Sequence, residues 1–306
     1  MRFTFSQLAY FVATAEMGST SRASEKLRIS QPAISVAIKQ LEETFGQKLF
    51  VRRHARGVDL TPFGQRKLAE VRQLLAHAHA VEDAGGDTVT GDLEIGVFST
   101  MAPVYAPGIL RAFAKAYPNV HVRMRELHLD RLNRDLEDGL IELALLYDLD
   151  IAGELTRVPL VSLRPYALLP VGHKLAQAET VSLKDLAREP FVLIDLPHSR
   201  DYFLSLFRVA DTMPENLLRC VSFETLRGMV ANGLGVSILV TRPYGDHSYD
   251  GQPLVCRPIE EKLPPQRLII GTSPRMPATP AAKAFHAVAQ RYFEMFVSED
   301  GTIVSV

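Results

Sequence analysis

Between Leu27 and Ile34 the chain turns in a way few folds allow. Arg28-Ile29-Ser30 is too short for anything but a tight turn, Ser30 has N-cap chemistry, and Pro32 is tolerated only in the first turn of a helix. Amphipathic segments lie on both sides. Upstream, a helix over residues 19–27 buries Ala23 and Leu27. Downstream, Ile34, Ile38, Leu41 and Phe45 share one helical face, and Gln31, Ser35, Lys39 and Glu42 occupy the other. An earlier helix carries Leu8, Phe11, Val12 and Ala15, with Thr4 and Gln7 at capping-box spacing and Gly18 as its stop. Two helices joined by so short a turn, the second polar at its N-terminal end, predict a helix-turn-helix.

In such a unit the second helix enters the DNA major groove by its N-terminal residues. Gln31 can pair bidentately with adenine, Ser35 can reach a base or a phosphate, and Pro32 suits a thymine methyl. Ser30 stands beside them, and Lys39, one turn on, is placed for phosphate. After Gly46, residues 48–60 read as two short strands around a basic turn. That is a wing whose Arg52, Arg53 and Arg56 can neutralise phosphate or lie in a minor groove, unless it is a solvated surface turn. Residues 1–60 hold nine Lys/Arg against five Asp/Glu, whereas residues 91–306 hold 22 against 26. Unless the asymmetry is chance, a basic head on an acidic body suggests a polyanion partner for the head.

The stretch Ala23-x-x-x-Leu27-x-Ile29-Ser30-Gln31-Pro32-Ala33-Ile34-Ser35-x-x-Ile38-x-x-Leu41-Glu42-x-x-Phe45-Gly46-x-x-Leu49-Phe50-x-Arg52 resembles the signature of LysR-type transcriptional regulators. Leu60-Thr61-Pro62-Phe63-Gly64 resembles the family's junction between wing and linker, with Phe63 where Ala is commoner. Val36 also departs, standing where many members carry Arg.

The chain divides into a winged helix-turn-helix (residues 1–60), a linker helix (61–88) and an α/β body (89–306). In the linker Leu68, Val71, Leu75 and Ala78 repeat in a heptad-like pattern. This stripe is expected to be the dimerisation seam, as the resemblance also implies; packing on its own chain is the alternative. From Gly91 the pattern is βαβαβ, expected as an open parallel sheet, and a second set follows over 190–240, including a strand at 219–223 and a helix at 225–232. Stretches near 157–166 and 255–270 read as crossings, and Leu268–Gly271 as a strand returning to the first lobe before a closing helix near 280–296, which puts lobe 1 at about 89–160 and 269–306 and lobe 2 at about 161–268. Two α/β lobes with two crossings resemble the family's effector-binding half, a fold shared with periplasmic binding proteins.

Ligands in open α/β sheets sit beyond the carboxyl ends of strands, near helix N-termini. The expected effector contacts are therefore Ser99 and Thr100 after the first body strand, Tyr147 after the third, His198 before a lobe 2 helix, and Phe223 and Glu224 before another. The hydroxyls at 99 and 100 match the position the family uses, though either could be a helix cap. Tyr147 could instead be core, His198 a loop residue, and Arg200 a structural partner of Asp201 or Glu224. Hydroxyls and helix starts suit a small anion such as a carboxylate.

With 47% hydrophobic and 23% charged residues the chain is not a disordered one. No Walker loop, dinucleotide fingerprint or zinc-protease motif occurs, so neither enzyme activity nor a cofactor is expected. His77 and His79 do not share a helix face, so no metal is expected there. Two cysteines, Cys220 and Cys256, cannot make a disulfide framework and fit a cytoplasmic location. No apolar run is long enough for a membrane span, and the first residues lack a signal peptide's apolar core. The expected partners are double-stranded DNA, a small-molecule effector and further copies of the chain, as a homodimer or homotetramer. A solute-binding protein is the rival reading, and it leaves the basic head without a purpose.

Overall fold

Thr4 sets the first boundary in the fold. In the computed structural model, which describes residues 2–53, 57–82, 89–149 and 154–295, its hydroxyl accepts from the Gln7 amide at 3.2 Å and its own amide donates to Gln7 Oε1 at 2.8 Å. This reciprocal cap starts α1 (Phe5–Met17), and Gly18, at φ 60°, ends it. Ser19 caps α2 (Thr20–Leu27), and Arg28 closes it in the left-handed region. Then follow α3 (Gln31–Phe45), β1 (Phe50–Arg53) and β2 (Gly57–Leu60), the last two pairing antiparallel as the wing. Gly57 is obligatory: a Cβ there would sit 2.1 Å from the Gly18 carbonyl oxygen, which instead accepts from the Val58 amide at 2.9 Å. The wing is thereby fixed to the end of α1.

Two expectations about α3 need correction. Ser30 occupies the N-cap position, but its side chain makes no cap hydrogen bond. Glu42 does not lie on the solvated face. It is buried, with Oε1 accepting from the Leu49 and Phe50 amides at 2.9 and 3.3 Å and Oε2 paired to Lys48 at 2.6 Å. The unpaired amides entering β1 need an acceptor, and a carboxylate in the last turn of α3 supplies it.

Thr61 caps α4 (Pro62–Glu82), accepting from the Gly64 amide at 2.9 Å. Here the dimer-seam expectation is revised. Leu68 and Val71 are each 4% exposed and join Leu8, Phe11, Leu41 and Leu49 in the head's own core, with Leu75 packed against it. A side chain already packed in its own chain offers no surface to a second copy. Leu74 is exposed and lines, with Met276 and Pro277 of the body, a cavity beside α4, and Ala78 is half-exposed.

The body begins with β3 (Gly91–Phe98), α5 (Ala102–Ala116), β4 (Val120–Leu127), α6 (Leu129–Glu137) and β5 (Leu143–Tyr147). β3 pairs parallel with β4 and β5, the expected βαβαβ. The chain continues through β6 (Thr156–Leu163), β7 (Tyr166–Pro170), α7 (Leu183–Ala187), β8 (Phe191–Ile194), α8 (Ser199–Val209), β9 (Leu217–Cys220), α9 (Phe223–Ala231) and β10 (Ser237–Leu239). It closes with β11 (Leu254–Pro258), β12 (Gln266–Thr272) and α10 (Pro280–Glu294).

The crossings are themselves strands. β6 and β12 complete the lobe 1 sheet in the order β4-β3-β5-β12-β6, with β12 antiparallel to both neighbours, so this sheet is mixed rather than parallel. β7 and β11 belong to lobe 2, where β10-β7-β11 lies beside β8-β9 through a bridge from Phe191 to Val236. Phe223 opens α9 rather than ending a strand, because Ser222 accepts from the Thr225 amide at 3.4 Å and starts the helix there. One apolar core runs through both lobes, separate from the clusters of the head.

Replacing Leu68 with Ala removes a core side chain of the head, at an expected cost of about 2–5 kcal/mol. Denaturant unfolding should show the same loss at every protein concentration. A loss that fades at high concentration would return Leu68 to a contact between copies.

Candidate DNA interface and effector cleft

The polar N-terminal end of α3 is open. Ser30, Gln31, Pro32 and Lys39 are exposed and Ser35 is partly so. Gln31 Nε2 donates to Thr20 Oγ1 at 3.3 Å and to Ser35 Oγ at 3.1 Å, which sets the amide at the α2–α3 junction beside Ser35. Bidentate reading of adenine needs both the amide N–H and the carbonyl outward, so one of these bonds opens on contact. Lys39 lies 3.8 Å from Glu43 with both side chains largely exposed, a weak pair that leaves the ammonium available to phosphate. Val36 is 54% exposed on this same end of the helix. Its signal was the departure from arginine already seen in the sequence. Arg52 and Arg53 lie on β1, opposite Val58 and Gly57. Arg56 falls outside the described residues.

In the body, α5 begins after Met101, so neither Ser99 nor Thr100 is its N-cap. Thr100 is buried and donates to Tyr147 Oη at 3.4 Å, and Tyr147 Oη lies 2.5 Å from Thr241 Oγ1 of lobe 2. Tyr166 donates to the Thr241 carbonyl at 3.0 Å. Tyr147 also packs edge-on against Phe98, with ring centroids 5.5 Å apart. Thr100 and Tyr147 come from lobe 1, and Thr241 and Tyr166 from lobe 2, so a buried chain of hydroxyls ties the lobes together. Burial pushes the Tyr147 phenol above its ordinary range, opposed by its bonds to Thr100 and Thr241. Tyr105 and Tyr166 are pushed up by the same cause. On α8 the Tyr202 hydroxyl is buried without a hydrogen-bond partner among the described residues. Sequence patterning found Tyr147 but missed Tyr105, Tyr166 and Tyr202, because each sits on an apolar face and only the need of a buried phenol for a partner hints at more.

The edge of the lobe junction is charged. Ser99 Oγ lies 3.2 Å from His128 Nδ1, at the start of α6. His198 Nε2 crosses from lobe 2 to Asp130 Oδ1 at 3.0 Å. His198 has φ 63° and ψ −46°, and the Pro197 carbonyl accepts from the Ser199 amide at 2.7 Å. That is a tight γ-turn, strained for a residue with a side chain. Arg200 pairs with Asp195 and Asp201, each at 3.2 Å, the structural role left open above. Phe223 is buried, and Glu224 turns to Arg227 at 3.3 Å, whose guanidinium also donates to the Gly245 and His247 carbonyls. Burial pushes the Glu224 carboxyl up, and Arg227 opposes the shift. Ser99, Thr100, Tyr147 and His198 are thus gathered at the lobe junction, while Glu224 is committed to its own helix.

Comparison with known proteins follows the same division. The family model for the LysR substrate binding domain matches residues 86–294, and that for the bacterial regulatory helix-turn-helix protein, lysR family, matches residues 5–65. The chain is 35% identical to the HTH-type transcriptional regulator YnfL of Escherichia coli (strain K12) over 78% of this chain and 82% of that protein. It is 29% identical to the hydrogen peroxide-inducible genes activator of Pectobacterium carotovorum, covering 76% of this chain and 78% of the relative. The crystal structure of HinK, a LysR family transcriptional regulator from Pseudomonas aeruginosa, aligns with a TM-score of 0.65 and 40% identity, covering 94% of this chain and 98% of that one.

The buried phenols make alkaline stability a test of the lobe junction. A phenol whose pKa is raised by folding contributes stability that is full below the unfolded value of 10.0 and is lost as pH rises through the folded value. Unfolding free energy should therefore fall above about pH 10. Tyr147→Phe should make that fall shallower and cost about 1–3 kcal/mol at neutral pH, because Thr241 loses a partner. An unchanged slope would show that Tyr147 is accessible to solvent.

Proposed function

The chain belongs to the LysR family of bacterial transcriptional regulators, and from that premise we propose which of its residues read DNA and which hold the effector. The head binds DNA and the body is an effector-binding domain, as in the family. The observation that carries the finer reading is the open end of α3, with Gln31 and Ser35 side by side. Gln31 and Ser35 read bases. Ser30 and Lys39 meet the backbone, Pro32 and Val36 offer apolar contact to thymine methyls, and Arg52, Arg53 and Arg56 of the wing neutralise phosphate.

The small molecule binds between the lobes, against Ser99, Thr100, Tyr147 and His198. The Tyr202 hydroxyl, buried and unpartnered, supports a ligand with a polar group of its own, since an orphaned buried hydroxyl is costly until it is paired. A small carboxylate fits the hydroxyls better than Glu224, which would repel it and is already held by Arg227. Second copies assemble through the remaining surface of α4, around the half-exposed Ala78, to give the homodimer that an operator with paired half-sites requires.

Induction by peroxide, which the name of one relative describes, is not the reading favoured here. Burial pushes both the Cys220 and the Cys256 thiols up, away from the reactive thiolate. A variant with both cysteines changed to Ser should keep its response in a reporter assay with and without peroxide. A peroxide response lost with the thiols would reverse this.

Gln31→Ala should weaken a selected operator by about 1–3 kcal/mol and relax the preference at one base pair, measured by titration at fixed salt. Equal affinity would remove Gln31 from the interface. Ser99→Ala/Thr100→Ala should occupy the operator normally yet respond weakly to inducer. Normal induction would move the effector site elsewhere.

A further inference from the structure

Head and body meet at Glu16. This carboxylate, in the last turn of α1, faces Lys26 of α2 at 3.0 Å, Arg72 of α4 at 3.1 Å and Arg123 of β4 at 3.5 Å. Arg123 in turn faces Glu94 of β3 at 3.1 Å and Asp92 at 3.2 Å. Partial burial pushes the Glu16 carboxyl up, but Lys26 and Arg72 outweigh it and hold the group below its ordinary range. The longest bond of this node is the one that joins head to body.

That arrangement makes the contact easy to open. If Glu16 and Arg123 part, Glu16 keeps Lys26 and Arg72, and Arg123 keeps Glu94 and Asp92. Breaking an ion pair is expensive when it strands a buried charge. Here neither charge is stranded, and both are part-exposed, so the loss is that of a surface pair. The apolar cores on the two sides are separate clusters, and the buried Ala69 of α4, which lies beside Gly139 of the body, adds a small apolar contact that parting Glu16 from Arg123 leaves in place.

The body side of the contact continues toward the cleft. Arg125 lies 3.5 Å from Glu94 and 3.6 Å from Asp135, and the buried Asp135 carboxylate is 2.6 Å from Arg131. Both residues belong to α6, whose first turn carries Asp130, the partner of His198 across the lobes. Alternating charges therefore run from lobe 2, through α6, β4 and β3, to α1. A displacement of lobe 2 that pulls on Asp130 moves a helix that is tied to the Arg123 end.

We propose that the Glu16–Arg123 pair is a releasable latch through which lobe 1 sets the orientation of the DNA-binding head. The latch rests on the reading of the chain as an effector-controlled, dimeric DNA-binding regulator. The docked head leaves the end of α3 exposed, so the latch orients the head rather than blocking it. In a dimer, head orientation fixes the distance between the two DNA half-sites that can be engaged together.

The test uses the full chain and a duplex selected from random sequence by the wild-type protein, with its half-sites then moved apart in single base-pair steps. Wild type should lose about tenfold in affinity away from its best spacing, because misplaced half-sites forfeit effective concentration. Arg123→Gln and Glu16→Gln should each flatten that loss to about threefold or less, and the double variant should match either single one, as coupled residues do. Arg123→Lys, which keeps the charge, should restore discrimination, and affinity for an isolated half-site should stay the same in all variants. Arg123→Gln that discriminates spacing like the wild type, or singles whose effects simply add, would overturn the latch. A wild type with no spacing preference would also overturn it. A wild type that selects no duplex would overturn the functional reading itself and the latch with it.

Discussion

The apolar core of the head and that of the body do not merge, and most of the molecule's behaviour follows from that separation. Leu68 and Val71 place the first half of α4 in the head's core, so the linker helix moves with the DNA-binding unit. The two lobes share one continuous core. Hydrophobic burial is the large favourable term in folding and acts within each of these bodies. What holds one body against the other is the polar contact at Glu16, individually weak and exchangeable, together with the small apolar contact of Ala69 in α4 with Gly139, rather than a shared core.

A similar economy governs the junction between the lobes. Thr100, Tyr147, Thr241 and Tyr166 satisfy one another across it, while Tyr202 Oη goes without. Hydroxyls can each donate and accept, so such a chain can be rearranged by an entering molecule without leaving a charge behind. The strained turn at His198 and its bond to Asp130 sit where one lobe reaches the other. A ligand that favours one arrangement of the lobes shifts their population by its differential affinity and no more.

Local chemistry was legible in the sequence. Thr4, Gln7 and Gly18 mark α1, and Ser19, the 28–30 turn and Pro32 mark the helix-turn-helix, because caps and prolines act within a few residues. The first βαβαβ was legible for the same reason. What escaped were features settled by distant partners. Glu42 has helical spacing for the polar face and is turned inward by the amides of β1. Leu68 and Val71 look like a seam until Leu8 and Leu41 are seen to cover them. β6 reads as a crossing because its pairing with β12 is a long-range event, whereas the return of Leu268–Gly271 to the first lobe was legible. Of the cleft, Ser99 and Thr100 were found from strand ends, but Thr241 and Tyr202 carry no local mark. The meeting of Glu16 with Arg123 has no trace in either segment alone.

The central claim is that head and body are separate cooperative units coupled by small contacts, the Glu16–Arg123 pair among them, and not by a shared core. Native-state hydrogen exchange on the full chain measures this most directly. Slow amides of α1 and α3 should report one unfolding free energy, and those of β3, β5 and β12 another, with the two sets responding independently to denaturant. A single free energy shared by both sets would mean that the cores unfold as one, and would contradict the account.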